Sequence, residues 1–190
     1  QCAVISQGQI ILSGNAGVYS RTEDKPITAD TMYGIGSTSK MFATVVVMLL
    51  VDRGLVDLDA PLTTYIPEFF MADTRYTQIT PRMMLNHSSG LMGLTFNNVA
   101  FFHDIDPIGR HQLIADLAHQ RLKADPGEFS VYCNDGFALA ELLVERVSGE
   151  SFTDFVKASF TDPLGMTNTA TPESNFDRSR LARTDVDEIG

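Results

Sequence analysis

The uncharged run from Met41 to Val51 constrains this chain more than any other segment. Its apolar residues fall on every side rather than along one stripe, and a helix of that kind belongs in the middle of a fold. The run is shorter than the roughly 20 residues needed to cross a bilayer, so it reads as a buried core helix. A helix is predicted over 37–53, with Gly54 in the position where chains leave a helix through the left-handed region. With 190 residues, 44% of them hydrophobic, the chain suits one domain with a substantial core.

The segments before the helix read as strands, those after it mostly as helices. Cys2–Ser6 and Gln9–Leu12 flank the turn candidate Gln7-Gly8, with Gly14 and Gly17 as bulge or bend positions. Residues 21–30 are polar, hold Pro26 and read as a loop; residues 55–78, with Pro61 and Pro67, read as an irregular connection. Thr80-Pro81 is a helix start, and that helix ends near Ser88–Gly90. Further helices are predicted over 111–122, over 136–147 closed by Gly149, and from a Ser151 cap to Phe160, where Pro163 and Gly165 stop it. Asp125-Pro126-Gly127 is a turn between the first two of these. Strands first and helices after predict an α+β fold with a helical layer, without repeats or a dividing linker.

Charge and cysteine content exclude several functions. A net charge of −10, with 14 scattered Lys and Arg residues, argues against nucleic acid and anionic membrane as partners. Cys2 and Cys133 are too few for a disulfide framework and are expected as free, buried thiols. His103, Asp104 and Asp106 lack metal-ligand spacing and read as a solvated loop, so neither metal nor cofactor is expected. Gly34-Ile35-Gly36 is no nucleotide loop, since Ser39 stands where a third glycine belongs; these glycines are expected to let the chain approach closely. Met83, Met84 and Met92 read as core filling.

The chemistry lies where the apolar helix begins. Ser37 and Lys40, three residues apart, put a hydroxyl beside an amine on one helical face. A lysine partly withdrawn from water gives up its proton more readily, so the amine can serve as base to the serine. The competing reading of Ser37 is a helix N-cap.

Tyr132-Cys133-Asn134 follows 95 positions after Ser37. Before it stands Pro126-Gly127-Glu128-Phe129, and upstream Leu85-Asn86-His87-Ser88-Ser89-Gly90-Leu91. After it come Gly136-Phe137-Ala138-Leu139 and Pro163-Leu164-Gly165-Met166. With Ser-x-x-Lys, these segments in this order resemble the serine β-lactamase and D-alanyl-D-alanine carboxypeptidase (penicillin-binding protein) superfamily, in its class C and esterase-like branch. The resemblance implies a β-lactamase/transpeptidase-like α+β fold, an antiparallel sheet with a helical domain. It further implies a serine hydrolase working through an acyl-enzyme on an amide, β-lactam or ester, with a small molecule or peptide as substrate. Ser37 would be the nucleophile, Lys40 and Tyr132 the proton carriers, and Asn134 the substrate's hydrogen-bond partner. Tyr132 as a packed aromatic and Asn134 as a turn or cap residue are the plainer readings. His87 is expected to tie a helix end to a loop.

The family's third element, a Lys-Thr-Gly or His-x-Gly strand, has no counterpart in this sequence. With no starting methionine and a polar stretch at Gly190, both ends read as cut edges. One incomplete domain is therefore expected: strands over 1–36, a mainly helical part over 37–170 and a polar loop over 171–190. On its own it is expected not to turn over substrate. A D-Ala-type peptidase, a β-lactamase and an esterase all fit, with a periplasmic or secreted location for the first two. The alternative is a non-catalytic binding or scaffold relative that keeps the fold. Oligomeric state is left open.

Overall fold

A computed structural model describes residues 1–93, 95 and 109–183. Strands β1 (Cys2–Ser6) and β2 (Gln9–Gly14) form an antiparallel hairpin. Gln7 and Gly8, with φ 50° and 76°, supply the two left-handed residues that a type I′ turn requires. Ile5 pairs with Ile10 but Val4 with Leu12, so the bulge falls at Ile11; Gly14 pairs with Cys2.

The expected loop over 21–30 instead holds a strand. β3 (Val18–Ser20) pairs with β4 (Glu23–Pro26) in a second two-stranded ribbon. Every strand of such a ribbon is an edge, so Pro26 is tolerated without its N–H. Residues 180–183 return to this region: Arg180 C=O accepts from Met32 N–H, and Arg183 N–H donates to Tyr19 C=O, at 2.8 and 2.9 Å.

A single 3₁₀ turn, Gly36–Thr38, leads into α1 (Ser39–Asp52). Gly54, at φ 72°, ends α1: Leu55 N–H reaches Leu50 C=O and Gly54 N–H reaches Val51 C=O, which is the Schellman pattern. The later helices are α2 (Pro81–Leu85), α3 (Gly109–Leu117), α4 (Asn134–Ser148) and α5 (Phe152–Val156), the last running into a π-helical turn over Lys157–Thr161. Thr80 and Ser151 cap α2 and α5 through their side chains, and Gly149 closes α4 at φ 75°. α3 stops before the predicted Leu122, whose N–H is taken by the Asp73 carboxylate at 3.0 Å.

α4, rather than α1, is the hub. It packs against α1, α2, α3 and α5 and buries Phe137, Leu139, Ala140, Leu142, Leu143 and Val144. α1 buries Ala43, Val46, Val47 and Leu50 but leaves Met41, Val45 and Met48 exposed. These three share one face at helical spacing, and Ile5, Ile10, Ile11 and Leu12 of the first hairpin are exposed as well. An apolar surface thus lies uncovered among the described residues. Gly136 faces α2, where a Cβ would stand 3.4 Å from the Met84 backbone.

Cys133 and Cys2 are both free, but only Cys133 is buried; Cys2 is exposed at the head of β1. Of the methionines expected in the core, Met84 is fully buried and Met92 is exposed. His103, Asp104 and Asp106 lie outside the described residues. No helix among the described residues is long and apolar enough to cross a membrane.

Candidate active site

The site is assembled on a pair of backbone strips, His87–Gly93 and Lys123–Asn134. Four hydrogen bonds join them: Val131 N–H to His87 C=O, Gly127 N–H to Ser88 C=O, Lys123 N–H to Gly90 C=O and Asn134 N–H to Gly93 C=O, all 2.8–2.9 Å. Gly90 has φ 76°, and a Cβ there would stand 2.4 Å from the Ala124 carbonyl oxygen, so only glycine fits. Pro126 and Gly127 (φ 86°) turn the second strip back, with Glu128 N–H donating to Asp125 C=O at 3.0 Å.

The start of α4 fixes the end of this strip. Cys133 is the N-cap, its Sγ accepting from Gly136 N–H at 3.4 Å, so Asn134 is the first residue of the helix and not its cap. Asp135 is fully buried and accepts three hydrogen bonds from the loop opposite. They come from Gly93 N–H at 2.9 Å, Thr95 N–H at 2.8 Å and the Thr95 hydroxyl at 2.7 Å. Asp135 is not among the residues that the sequence singles out; its signal is an acid directly before the apolar run Gly136–Ala140.

Ser37 enters from the other side of the site. Gly36, at φ 52° and with open space about it, makes the turn by its conformation; the close approach that the sequence predicts at Gly34 and Gly36 is not found among the described residues. Neither Thr38 nor Ile35 caps the turn through a side chain, and the Ser37 hydroxyl is engaged elsewhere. Lys40 Nζ donates to Ser37 Oγ at 3.2 Å, and Tyr132 Oη donates to the same oxygen at 2.5 Å. Lys40 Nζ also lies 4.8 Å from the Tyr132 ring centroid and 5.4 Å from that of Phe137. The neighbouring Lys40, and after it the hydrogen bond to Ser37, hold the Tyr132 phenol below its usual value of 10.0. The structure therefore brings Ser37, Lys40 and Tyr132 into direct contact. Asn134 stands two residues beyond Tyr132, its side chain without a hydrogen bond among the described residues.

His87 touches this cluster from behind. Its Nδ1 accepts from Cys133 N–H at 3.1 Å, and its ring lies 4.7 Å from that of Tyr132 and 5.3 Å from that of Phe137. Chemically, a hydroxyl with an amine and an acidified phenol on one oxygen can lose its proton to either neighbour once that neighbour is deprotonated. No group of three His, Cys, Asp or Glu side chains able to hold a metal occurs among the described residues.

The Beta-lactamase family profile matches residues 1–188. Penicillin-binding protein 4* of Bacillus subtilis is 32% identical over 168 residues, covering 85% of this chain and 35% of that protein. Esterase EstB of Burkholderia gladioli is 30% identical over 173 residues, covering 86% of this chain and 44% of the esterase. The structure of D-amino acid amidase from Ochrobactrum anthropi SV3 overlays with a TM-score of 0.75 at 26% identity, covering 88% of this chain and 45% of the amidase. The chain spans less than half the length of each. Its relatives are penicillin-binding proteins, an esterase and an amidase, and its α+β fold is β-lactamase/transpeptidase-like. The chain belongs to the Beta-lactamase family.

Proposed function

We propose that the chain carries the acylation site of a serine hydrolase, with Ser37 as nucleophile, Lys40 and Tyr132 as proton carriers and Asn134 as a substrate hydrogen-bond partner. The observation that carries this reading is the double contact on Ser37 Oγ, from Tyr132 at 2.5 Å and Lys40 at 3.2 Å. The substrate class is an acyl compound: an amide, a β-lactam or an ester. Ser37 Oγ bonds to the acyl carbon, the bond to the leaving nitrogen or oxygen breaks, and the serine proton passes through Lys40 and Tyr132 to the leaving group. Water then cleaves the acyl-enzyme, restoring the hydroxyl and releasing the acid. The Ser37 N–H, in the 3₁₀ turn ahead of α1, would donate to the developing oxyanion. The 190 residues form one partial β-lactamase-like domain, and steady turnover requires the family's third strand element, which this sequence lacks.

Intact mass spectrometry after incubation with a fluorophosphonate, and separately with penicillin, tests the reading. The expected result is one covalent adduct, mapped to Ser37 and absent from Ser37→Ala. No adduct at high reagent concentration would overturn it in favour of a binding or scaffold protein.

A further inference from the structure

His87 occupies a backbone conformation that residues with a Cβ rarely adopt, φ 65°. Such a conformation persists where the surroundings over-determine it. Three contacts do so here, and all go to the strip that carries Tyr132. The His87 carbonyl accepts from Val131 N–H at 2.9 Å, Nδ1 accepts from Cys133 N–H at 3.1 Å, and the ring lies 4.7 Å from the Tyr132 ring. One residue thereby holds Tyr132 by the neighbours on both sides of it and by its own ring. Phe137 backs the imidazole at 5.3 Å.

We propose that His87 is a positioning residue for Tyr132: its neutral ring, accepting the Cys133 N–H at Nδ1, sets the phenol against Ser37, and protonation of the ring releases it. The inference rests on the reading of Ser37 as the acylated residue.

An acceptor at Nδ1 needs a lone pair, so the ring's single proton sits on Nε2. A second proton would turn Nδ1 into a donor facing another donor, the Cys133 N–H. The groups around the ring oppose that proton. Lys40 approaches from α1 and Lys123 from the strip ahead of the Pro126 turn, and both disfavour a charged ring; Tyr132 and Cys133 face it from the second strip. Asp135, on α4 beside Phe137, is bound by Gly93 and Thr95. Burial first, then Lys40, hold the imidazole below its usual 6.5. The sign follows: the contact is intact at neutral pH and is lost as the pH falls through this lowered value.

Two measurements on the whole chain decide the matter. In ¹⁵N-histidine spectra, His87 Nδ1 is expected unprotonated at neutral pH, and the Cys133 amide is expected to shift with the same midpoint, below about 6.5. Fluorophosphonate labelling of Ser37 is then followed against pH for the native chain, His87→Asn and His87→Ala. Asparagine offers Oδ1 in place of Nδ1 and does not titrate. It is expected to label within about threefold of the native rate at neutral pH and to lack the part of the acid fall due to His87. Alanine is expected to label about tenfold more slowly or worse at every pH. A His87→Ala chain labelled at the native rate, an unchanged acid limb in His87→Asn, or a protonated Nδ1 at neutral pH would each overturn the proposal. Should alanine unfold the chain, as circular dichroism would reveal, His87→Asn and the spectra still decide. If the native chain does not label at all, the acylation reading fails, while the spectra test the His87 contact independently.

Discussion

Replacing Asp135 by asparagine keeps its shape and inverts half of its hydrogen bonding. Oδ1 accepts from Thr95 N–H, and Oδ2 accepts from Gly93 N–H and the Thr95 hydroxyl. An amide has one oxygen, so in either flip its NH₂ group faces a backbone N–H, of Gly93 or of Thr95. The Thr95 hydroxyl can rotate to accept; the backbone donors have no such freedom. One buried N–H then loses its partner, at about 1–3 kcal/mol, and the remaining bonds lose their charge assistance. We expect Asp135→Asn to destabilise the fold by about 2–4 kcal/mol, and Asp135→Ala, which strands both backbone donors and leaves the Thr95 hydroxyl only Gln120 Oε1 at 3.2 Å, by about 3–5 kcal/mol. The chain has no tryptophan, so urea unfolding is best followed by far-ultraviolet circular dichroism. With a slope of about 2 kcal/mol per molar, the asparagine midpoint should fall by about 1–2 M. An asparagine variant within about 0.5 kcal/mol of the native chain would refute the claim that acceptor count at this position holds the loop.

Tyr132→Phe is expected to slow fluorophosphonate labelling of Ser37 by about 10²–10³-fold, because under the proposed mechanism one of two proton carriers is lost while Lys40 remains. The native phenol is held below 10.0, so its phenolate appears at lower pH than in free tyrosine; the labelling rate should rise with pH to a midpoint below 10.0 and then level, and this limb should vanish in Tyr132→Phe. An identical pH profile in both proteins would remove Tyr132 from the proton path. Gly90→Ala combines a φ of 76° with a Cβ 2.4 Å from a backbone oxygen, and it also endangers the Lys123 N–H bond to Gly90 C=O. A loss of about 2–4 kcal/mol is expected in urea unfolding, with slower Ser37 labelling because the same strip carries Tyr132; an unchanged midpoint would contradict it.

Features set by residues within one turn of each other were legible in the sequence. The Ser37–Lys40 pair is one, since helical geometry alone brings positions three apart together. The caps at Thr80 and Ser151 and the left-handed exits at Gly54 and Gly149 are others, because each satisfies helix ends from adjacent residues. The order of motifs along the chain also carries the resemblance to the family to which the chain belongs. Hydropathy, in contrast, records that a side chain gains from leaving water but not which surface receives it. It suggested α1 as the centre, whereas α4 meets four helices and α1 keeps Met41, Val45 and Met48 exposed. Pro26 marked a loop, yet an edge strand needs no donor there. Cys133 takes the capping role to which Asn134 is better suited by type. The contact between Tyr132 and Ser37 spans 95 positions and depends on the ladder between His87–Gly93 and Lys123–Asn134, on Gly90 being glycine and on a buried aspartate. Short-range geometry determined which residues are chemically able to act; only long-range packing decided which of them meet.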